Sequence, residues 1–391
     1  MAKRVGMEVC AAIAEAVKAA DVDVVSAYPI TPQTHIIERI ADLVANGELP
    51  AAYIPVESEH SALSACLGSS AVGARTFTAT ASQGLELMHE VLYVAASMRL
   101  PMVMVVANRA LSSPLSIWGD HSDAMAVRDV GWIQMFVENG QQAVDNVVCG
   151  FRIAEHQKVL LPLMIHADGF HLTHMVEPVE LLPQTEVNQF LPPYQYPMPL
   201  DPEKPVTMGA FGPPQIYTEA KKAQLEHFNS VKEIIKTTWK EFGDRFGRYY
   251  NPVESYRTDG ADVLLVTMGS YSETAMDAID KIRASGTKAG LLRLRLWRPF
   301  PIEEIRDAVG QAHTLIVLDR ALSIGSVTGP VCSEIRLALE GKKKNLEVVG
   351  FVGGLGGRDI SVTDFEEIVN RGIALAKNSN RAEFEFYGVR E

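Results

Sequence analysis

Arg109 stands just beyond the apolar run Pro101 to Ala107 and ahead of Trp118, Asp120, His121 and Asp123. A guanidinium offers two parallel N–H donors, the geometry a carboxylate needs, so this segment could hold an anionic substrate. The run before it is apolar enough for a buried strand, and in open parallel α/β sheets ligands gather at strand carboxyl ends. The alternative is that Arg109 caps a loop or pairs with Asp120 or Asp123, since structural ion pairs are common where charges cluster.

Three further clusters have the same placement. Tyr28-Pro29-Ile30-Thr31-Pro32 ends a β-branched run, and its two prolines hold the Thr31 hydroxyl and the Tyr28 ring in defined places. Thr31 could equally be only a helix N-cap, with Pro32 in the first turn. Val56-Glu57-Ser58-Glu59-His60 precedes the small-residue helical pattern Ser61 to Val72. Glu57 and Glu59 cannot share a face, so one points inward against Ala62, Leu63 and Ala65, where a carboxylate is costly unless paired or protonated. The other reading is that Ser58 or Glu59 merely begins a helix, where the dipole favours acids. Thr78-Ala79-Thr80-Ala81-Ser82-Gln83-Gly84 ends another strand in a hydroxyl-rich turn, either a cap or a ligand cradle.

The elements that must position these groups read as alternating strands and helices. Val22 to Tyr28, Thr76 to Thr80, Met102 to Ala107 and Leu161 to His166 are strand-like, with helical patterns at Thr31 to Ala45 and Gly84 to Met98. Their continuous apolar character predicts a parallel sheet covered on both faces. Between about Glu177 and Asp262 prolines crowd among Phe190, Tyr194, Tyr196 and Phe211. Proline at that density opposes regular ladders and predicts an arm lying against another surface, that of another subunit included. Tyr217 to Tyr249 reads as an exposed, charged helix. A second series follows at Ala261 to Ser270, Ala289 to Trp297, Thr314 to Asp319 and Leu346 to Val352. The fold class expected is α/β with two parallel-sheet domains, residues 1–176 and 261–391, joined by a Pro/aromatic connector arm and helix at 177–260. The glycines of Gly350 to Asp359 suit a tight turn or an interface; they do not form a dinucleotide fingerprint, and no P-loop occurs.

Composition narrows the partners. The 391 residues, 47% hydrophobic and 21% charged, describe a folded protein of two or three domains. Forty-eight acids against 36 bases give a net charge of -12, which opposes binding to nucleic acid or anionic membranes. Cys10, Cys66, Cys149 and Cys332 form no metal or cluster spacing and read as reduced core thiols, so no metal site is expected. The start, MAKRVGMEVCAAIAEAVKAA, reads as an amphipathic helix with no secretory h-region, and no window reaches the about eighteen apolar residues of a membrane span. A cytoplasmic protein is expected.

Taken together, YPITP at 28–32, ESEHSA at 57–62, TATASQG at 78–84, ANRALSSPLSIWGDHSD at 107–123, VRDVGWIQ at 127–134 and GLGGRD at 354–359 resemble the α subunits of 2-oxoacid:ferredoxin oxidoreductases, most closely the pyruvate:ferredoxin oxidoreductases (pyruvate synthases). The resemblance runs nearly end to end. It implies a thiamine diphosphate pyrimidine-binding domain followed by a domain like the transketolase C-terminal one. By the same resemblance Glu59 bonds N1′ of the aminopyrimidine, Tyr28, Pro29, Ser82 and Gln83 border the cofactor, and Arg109 and Thr31 engage the 2-oxoacid. Glu59, Arg109 and Thr31 are then the catalytic set.

The chain has no GDG with a following asparagine for a thiamine diphosphate–magnesium site and no cysteine set for a cluster. The resemblance therefore implies that a β subunit supplies the diphosphate–Mg2+ contacts and a cluster, that a δ subunit carries ferredoxin-like [4Fe-4S] clusters, and that a γ subunit completes the complex. The implied reaction is reversible oxidative decarboxylation of pyruvate with coenzyme A to acetyl-CoA, CO2 and reduced ferredoxin. No second cation accompanies Arg109 in these motifs, which weighs against oxalate and 2-oxoglutarate; 2-oxoisovalerate and phenylglyoxylate are the rivals. A non-catalytic assembly subunit is the reading from another class, opposed by the presence of Glu59, Arg109 and Thr31. A flavodoxin-like nucleotide module lacks any phosphate fingerprint.

Overall fold

A computed structural model describes residues 3–343, 345–378, 380 and 382–390. The strands are β1 (Lys3–Glu8), β2 (Val24–Ala27), β3 (Ala52–Pro55), β4 (Thr76–Thr80), β5 (Val103–Asn108), β6 (Ile133–Phe136), β7 (Leu163–Asp168), β8 (Val176–Leu181), β9 (Val253–Tyr256), β10 (Val263–Met268), β11 (Ala289–Leu294), β12 (Leu296–Arg298), β13 (Thr314–Asp319), β14 (Glu347–Val352) and β15 (Phe384–Phe386). They form a seven-stranded sheet, β12-β6-β7-β5-β4-β2-β3, a six-stranded sheet, β15-β14-β13-β10-β11-β9, and a β1-β8 ribbon. Both sheets are parallel except for β12 and β9, which run antiparallel at one edge of each.

Burial on both faces explains the unbroken apolar strands. In β5, Val103 and Val105 face one core while Met104 and Val106 face another; in β10, Val263 and Leu265 oppose Leu264 and Val266. The helices Val9–Ala19, Thr34–Ala45 and Gly140–Ala154 cover one face of the first sheet, and Glu59–Ala71 and His89–Ser97 the other.

Four expectations change. Residues 3–8, expected as helix, form β1, because they pair residue for residue with β8, a partner far off in sequence; Met1 and Ala2 lie outside the described residues. β8 includes Pro178 in that ladder, opposite Gly6, at a site where a two-stranded ribbon tolerates a missing donor. Ala289 to Trp297 is not one strand: β11 ends at Leu294, the Arg295 and Leu296 amides both turn to Pro252 O at 3.0 Å, and β12 crosses to the first sheet. The charged pattern Tyr217 to Tyr249 is two helices with different fates. Pro214–Ser230 buries no residue, whereas Lys232–Phe246 sinks Ile235, Trp239 and Phe242 into the first core.

Candidate active site

Parallel strands deliver their carboxyl ends to one edge, and there the nominated residues meet. The neighbours β7, β5, β4, β2 and β3 end in that order at Asp168, Asn108-Arg109, Thr80-Ser82, Ala27-Tyr28 and Pro55-Glu59. Of the two acids, Glu57 is exposed and Glu59 is buried. Glu59 is also the first residue of its helix, with Ser58 as a true cap accepting from Ser61 N at 3.3 Å. The helix-start reading and the inward-acid reading therefore both hold.

Glu59 faces a gap. A Cβ on Gly84 would lie 2.7 Å from Glu59 Oε1 and 2.6 Å from Thr80 Oγ1, so the two oxygens border the space that glycine leaves free. Among the described residues the Glu59 side chain has no hydrogen-bond or ion-pair partner, although its carboxylate oxygens are not sealed from solvent, while the fully buried Thr80 hydroxyl is both sealed and unpartnered. A sealed polar group without a partner is costly inside a protein, so the Thr80 hydroxyl calls for an explanation.

Arg109 does not pair with an acid. Its Nε donates to Ser116 O at 2.8 Å and its Nη1 to Thr31 O at 2.9 Å, two neutral carbonyls that aim the fork. Burial draws its pKa below the usual arginine range, opposed by the charge of Asp123. Of the alternative roles, the loop cap is present in the bond to Ser116 O, and the pairing with Asp120 or Asp123 is absent because those carboxylates are bonded elsewhere. Asp123 accepts from the backbone N–H of Arg109 and Ser82, at 3.0 Å each, and from Asn108 Nδ2 at 2.8 Å. Burial pushes this carboxyl up to about 7 against those three donors. Asp120 Oδ1 takes Ser122 N and Oγ, at 2.9 and 2.6 Å.

Thr31 is exposed and is not an N-cap: the helix begins at Thr34, three residues on. The turn is held instead by Gln33, which sequence reasoning missed, through Nε2 to Ala79 O at 2.6 Å on β4. Ser82, at φ +47°, is locked by its hydroxyl, 2.7 Å from both Ala110 O and Gln83 Oε1. Tyr28 and Pro29 lie exposed on the same turn. Gln33 had no readable signal, and Asp123 was readable only as an acid near Arg109, because the backbone groups that define each role are brought near only by folding.

Residues 15–240 match the family described as pyruvate flavodoxin/ferredoxin oxidoreductase, thiamine diphosphate-binding, and residues 261–365 match pyruvate:ferredoxin oxidoreductase core domain II. Pyruvate synthase subunit PorA of Methanocaldococcus jannaschii is 49% identical over 365 residues, 92% of either chain. That of Methanothermobacter thermautotrophicus is 50% identical over 360 residues, covering 92% of this chain and 93% of the relative. The chain belongs to the pyruvate:ferredoxin oxidoreductase family. Its relatives in that family include ketoisovalerate oxidoreductase subunit VorA of Pyrococcus abyssi, 44% identical over 359 residues, 91% of this chain and 90% of the relative. The family fold appears also in a 2-oxoglutarate:ferredoxin oxidoreductase from Magnetococcus marinus, at TM-score 0.71 and 18% identity over 95% of this chain and 65% of that one. A split-gene transketolase β4 tetramer shares it at TM-score 0.57 and 12% identity, over 95% of this chain and all of that one.

Within the family's thiamine diphosphate-binding segment, the residues present fit the pyrimidine half of that cofactor. A carboxylate with no partner among the described residues, near an unpartnered buried hydroxyl, suits a ring with exchangeable protons on its edge. Elsewhere, all four cysteines of this family member are buried and unpaired. Among the described residues one set of potential metal ligands converges, Glu8, Cys10 and His174, within 4.8 Å. Glu8 is already bonded to His35 Nδ1 at 2.7 Å, and the Cys10 thiol donates to Pro32 O at 3.9 Å. Among the described residues no helix is long and apolar enough to cross a membrane.

Proposed function

We propose that this chain is the α subunit of a multi-subunit, thiamine diphosphate-dependent pyruvate:ferredoxin oxidoreductase, which converts pyruvate and coenzyme A to acetyl-CoA and CO2 and reduces ferredoxin. The observation that carries this reading is the inward-turned Glu59 side chain, 7% exposed and without a partner among the described residues, packed on Gly84 at the strand carboxyl ends. When bound, the cofactor supplies the nucleophilic carbon that attacks the 2-oxoacid's keto group. Glu59 holds a proton at ring N1′, which sets the ring's tautomer. Tyr28, Pro29, Ser82 and Gln83 wall the pyrimidine half. Arg109, held by two carbonyls and with no ion-pair partner among the described residues, takes the substrate carboxylate, and Thr31 lies beside the carbonyl end.

The rest of the site belongs to partner subunits in this reading. A β subunit brings the diphosphate–Mg2+ contacts and a cluster, a δ subunit the ferredoxin-like clusters, and a γ subunit completes the complex; the missing GDG motif and the scattered, buried cysteines support that division. The complex works in the cytoplasm. Pyruvate is favoured over 2-oxoisovalerate because the PorA relatives at 49% and 50% identity are more similar than VorA at 44%.

The test is Glu59→Gln in the assembled complex. Pyruvate turnover is expected to fall by about 10²–10⁴, the usual contribution of a positioned acid–base group, with cofactor retained and the complex intact. Near-normal turnover would leave Glu59 as a helix-start acid and remove the catalytic assignment.

A further inference from the structure

The carboxyl ends of the two sheets face each other and bury an ion pair that the chemistry above leaves unused. Asp168 closes β7 and Arg320 follows β13; they are 1% and 3% exposed. Arg320 Nη1 donates to Asp168 Oδ1, and His121 Nε2 lies 3.0 Å from the same oxygen. Asp168 Oδ2 accepts from Ser270 N and Oγ, each at 2.7 Å, beyond β10. The Arg320 guanidinium lies 3.8 Å from the centre of the Tyr271 ring. Charge pairing holds Asp168 well below the usual carboxylate range despite its burial.

This node reaches into the loop that follows Arg109. Arg320 Nη2 donates to Gly119 O at 3.2 Å, and Arg320 O accepts from His121 N at 2.8 Å. The glycine run after β14 grips the same loop. Gly356 N donates to Asp120 Oδ2 at 3.0 Å, and a Cβ on Gly357 would lie 2.5 Å from Trp118 Cβ. Inside the loop, Trp118 O accepts from Ala110 N at 3.0 Å and Ser116 O holds Arg109 Nε. Moving residues 116–120 therefore moves one of the two carbonyls that aim the guanidinium.

We infer that the C-terminal sheet sets the substrate arginine: Arg320 and Gly357 are positioning residues that orient Arg109 through residues 116–120. This rests on the reading of Arg109 as the substrate-carboxylate ligand. A fork displaced by about an ångström can lose up to about a hundredfold in function, and the Arg320 and Gly356 bonds tie residues 119–120 to the second sheet.

The test uses the assembled complex with Gly357→Ala, which leaves the ion pair whole, and Arg320→Lys, which keeps the charge but loses the fork. Each is expected to raise the pyruvate KM by roughly ten- to a hundredfold, with kcat at saturating pyruvate and thiamine diphosphate retention unchanged. Arg109→Lys raises KM by itself, and adding Gly357→Ala to it costs less than in the wild type, because residues acting through one another are non-additive. Where Arg320→Lys lowers the yield of complex, Gly357→Ala decides alone. Unchanged KM in intact Gly357→Ala complex, or strict additivity with Arg109→Lys, overturns the inference. A normal KM in Arg109→Lys alone would instead remove the substrate assignment on which it rests.

Discussion

Asp319 shows how far one side chain can be understood from its surroundings. Its oxygens accept from Val331 N at 2.7 Å and Cys332 N at 3.1 Å, capping the helix Pro330–Leu339, yet burial pushes the carboxyl up to about 7. Folding therefore takes up a proton between the ordinary aspartate value of about 3.9 and that pH. The stability this group contributes is whole below the lower value and is lost as pH rises through the upper one. Asp319→Asn, which cannot ionise, should gain on the wild type in melting temperature from pH 5 to 7 and then hold level; a difference independent of pH would refute this. Such effects are not legible in a sequence, where Asp319 is simply the end of an apolar run. The same holds for Glu57 and Glu59: alternation shows that one acid turns inward, but the helix start at Glu59 decides which. Arg109 looked equally suited to a ligand or to a loop cap or ion pair, and the ion pair fell to Asp123, whose oxygens are taken by backbone amides, while its bonds to Ser116 O and Thr31 O are those of a loop cap.

At the scale of elements, the two helices of the connector have opposite roles. In Lys232–Phe246, Trp239 is fully buried and donates through Nε1 to Asn146 Oδ1 at 2.9 Å in the helix Gly140–Ala154. Trp239→Ala is expected to destabilise the chain by about 3–5 kcal/mol, through the cavity and a stranded Asn146 acceptor. Leu225→Ala, on the exposed helix Pro214–Ser230, should stay within about 0.5 kcal/mol. Urea unfolding of both variants distinguishes them, and equal midpoints would contradict the packing described. The helical period was readable across both segments. Which helix packs was not, since both are heavily charged and the choice depends on the groove that the first sheet presents.

For the whole molecule, the prediction concerns incompleteness. The purified chain with thiamine diphosphate, pyruvate and a viologen acceptor should show no turnover, with activity appearing only on assembly with its partner subunits; robust turnover by the chain alone would overturn the multi-subunit reading. The alternation of strands and helices, the strand ends bearing Tyr28, Glu59, Ser82 and Arg109, and the family itself were all determined by the sequence, because period, turn residues and linear motifs are local properties. Tertiary structure alone decided that β12 leaves its neighbours to join the first sheet, that β1 pairs with β8, and that Asp168, His121 and Arg320 meet. Those three residues are 47 to 199 positions apart in pairs, and bonds across such separations depend on how whole layers stack. A chain of letters specifies that stacking only through the summed burial of two sheets, which no single segment displays.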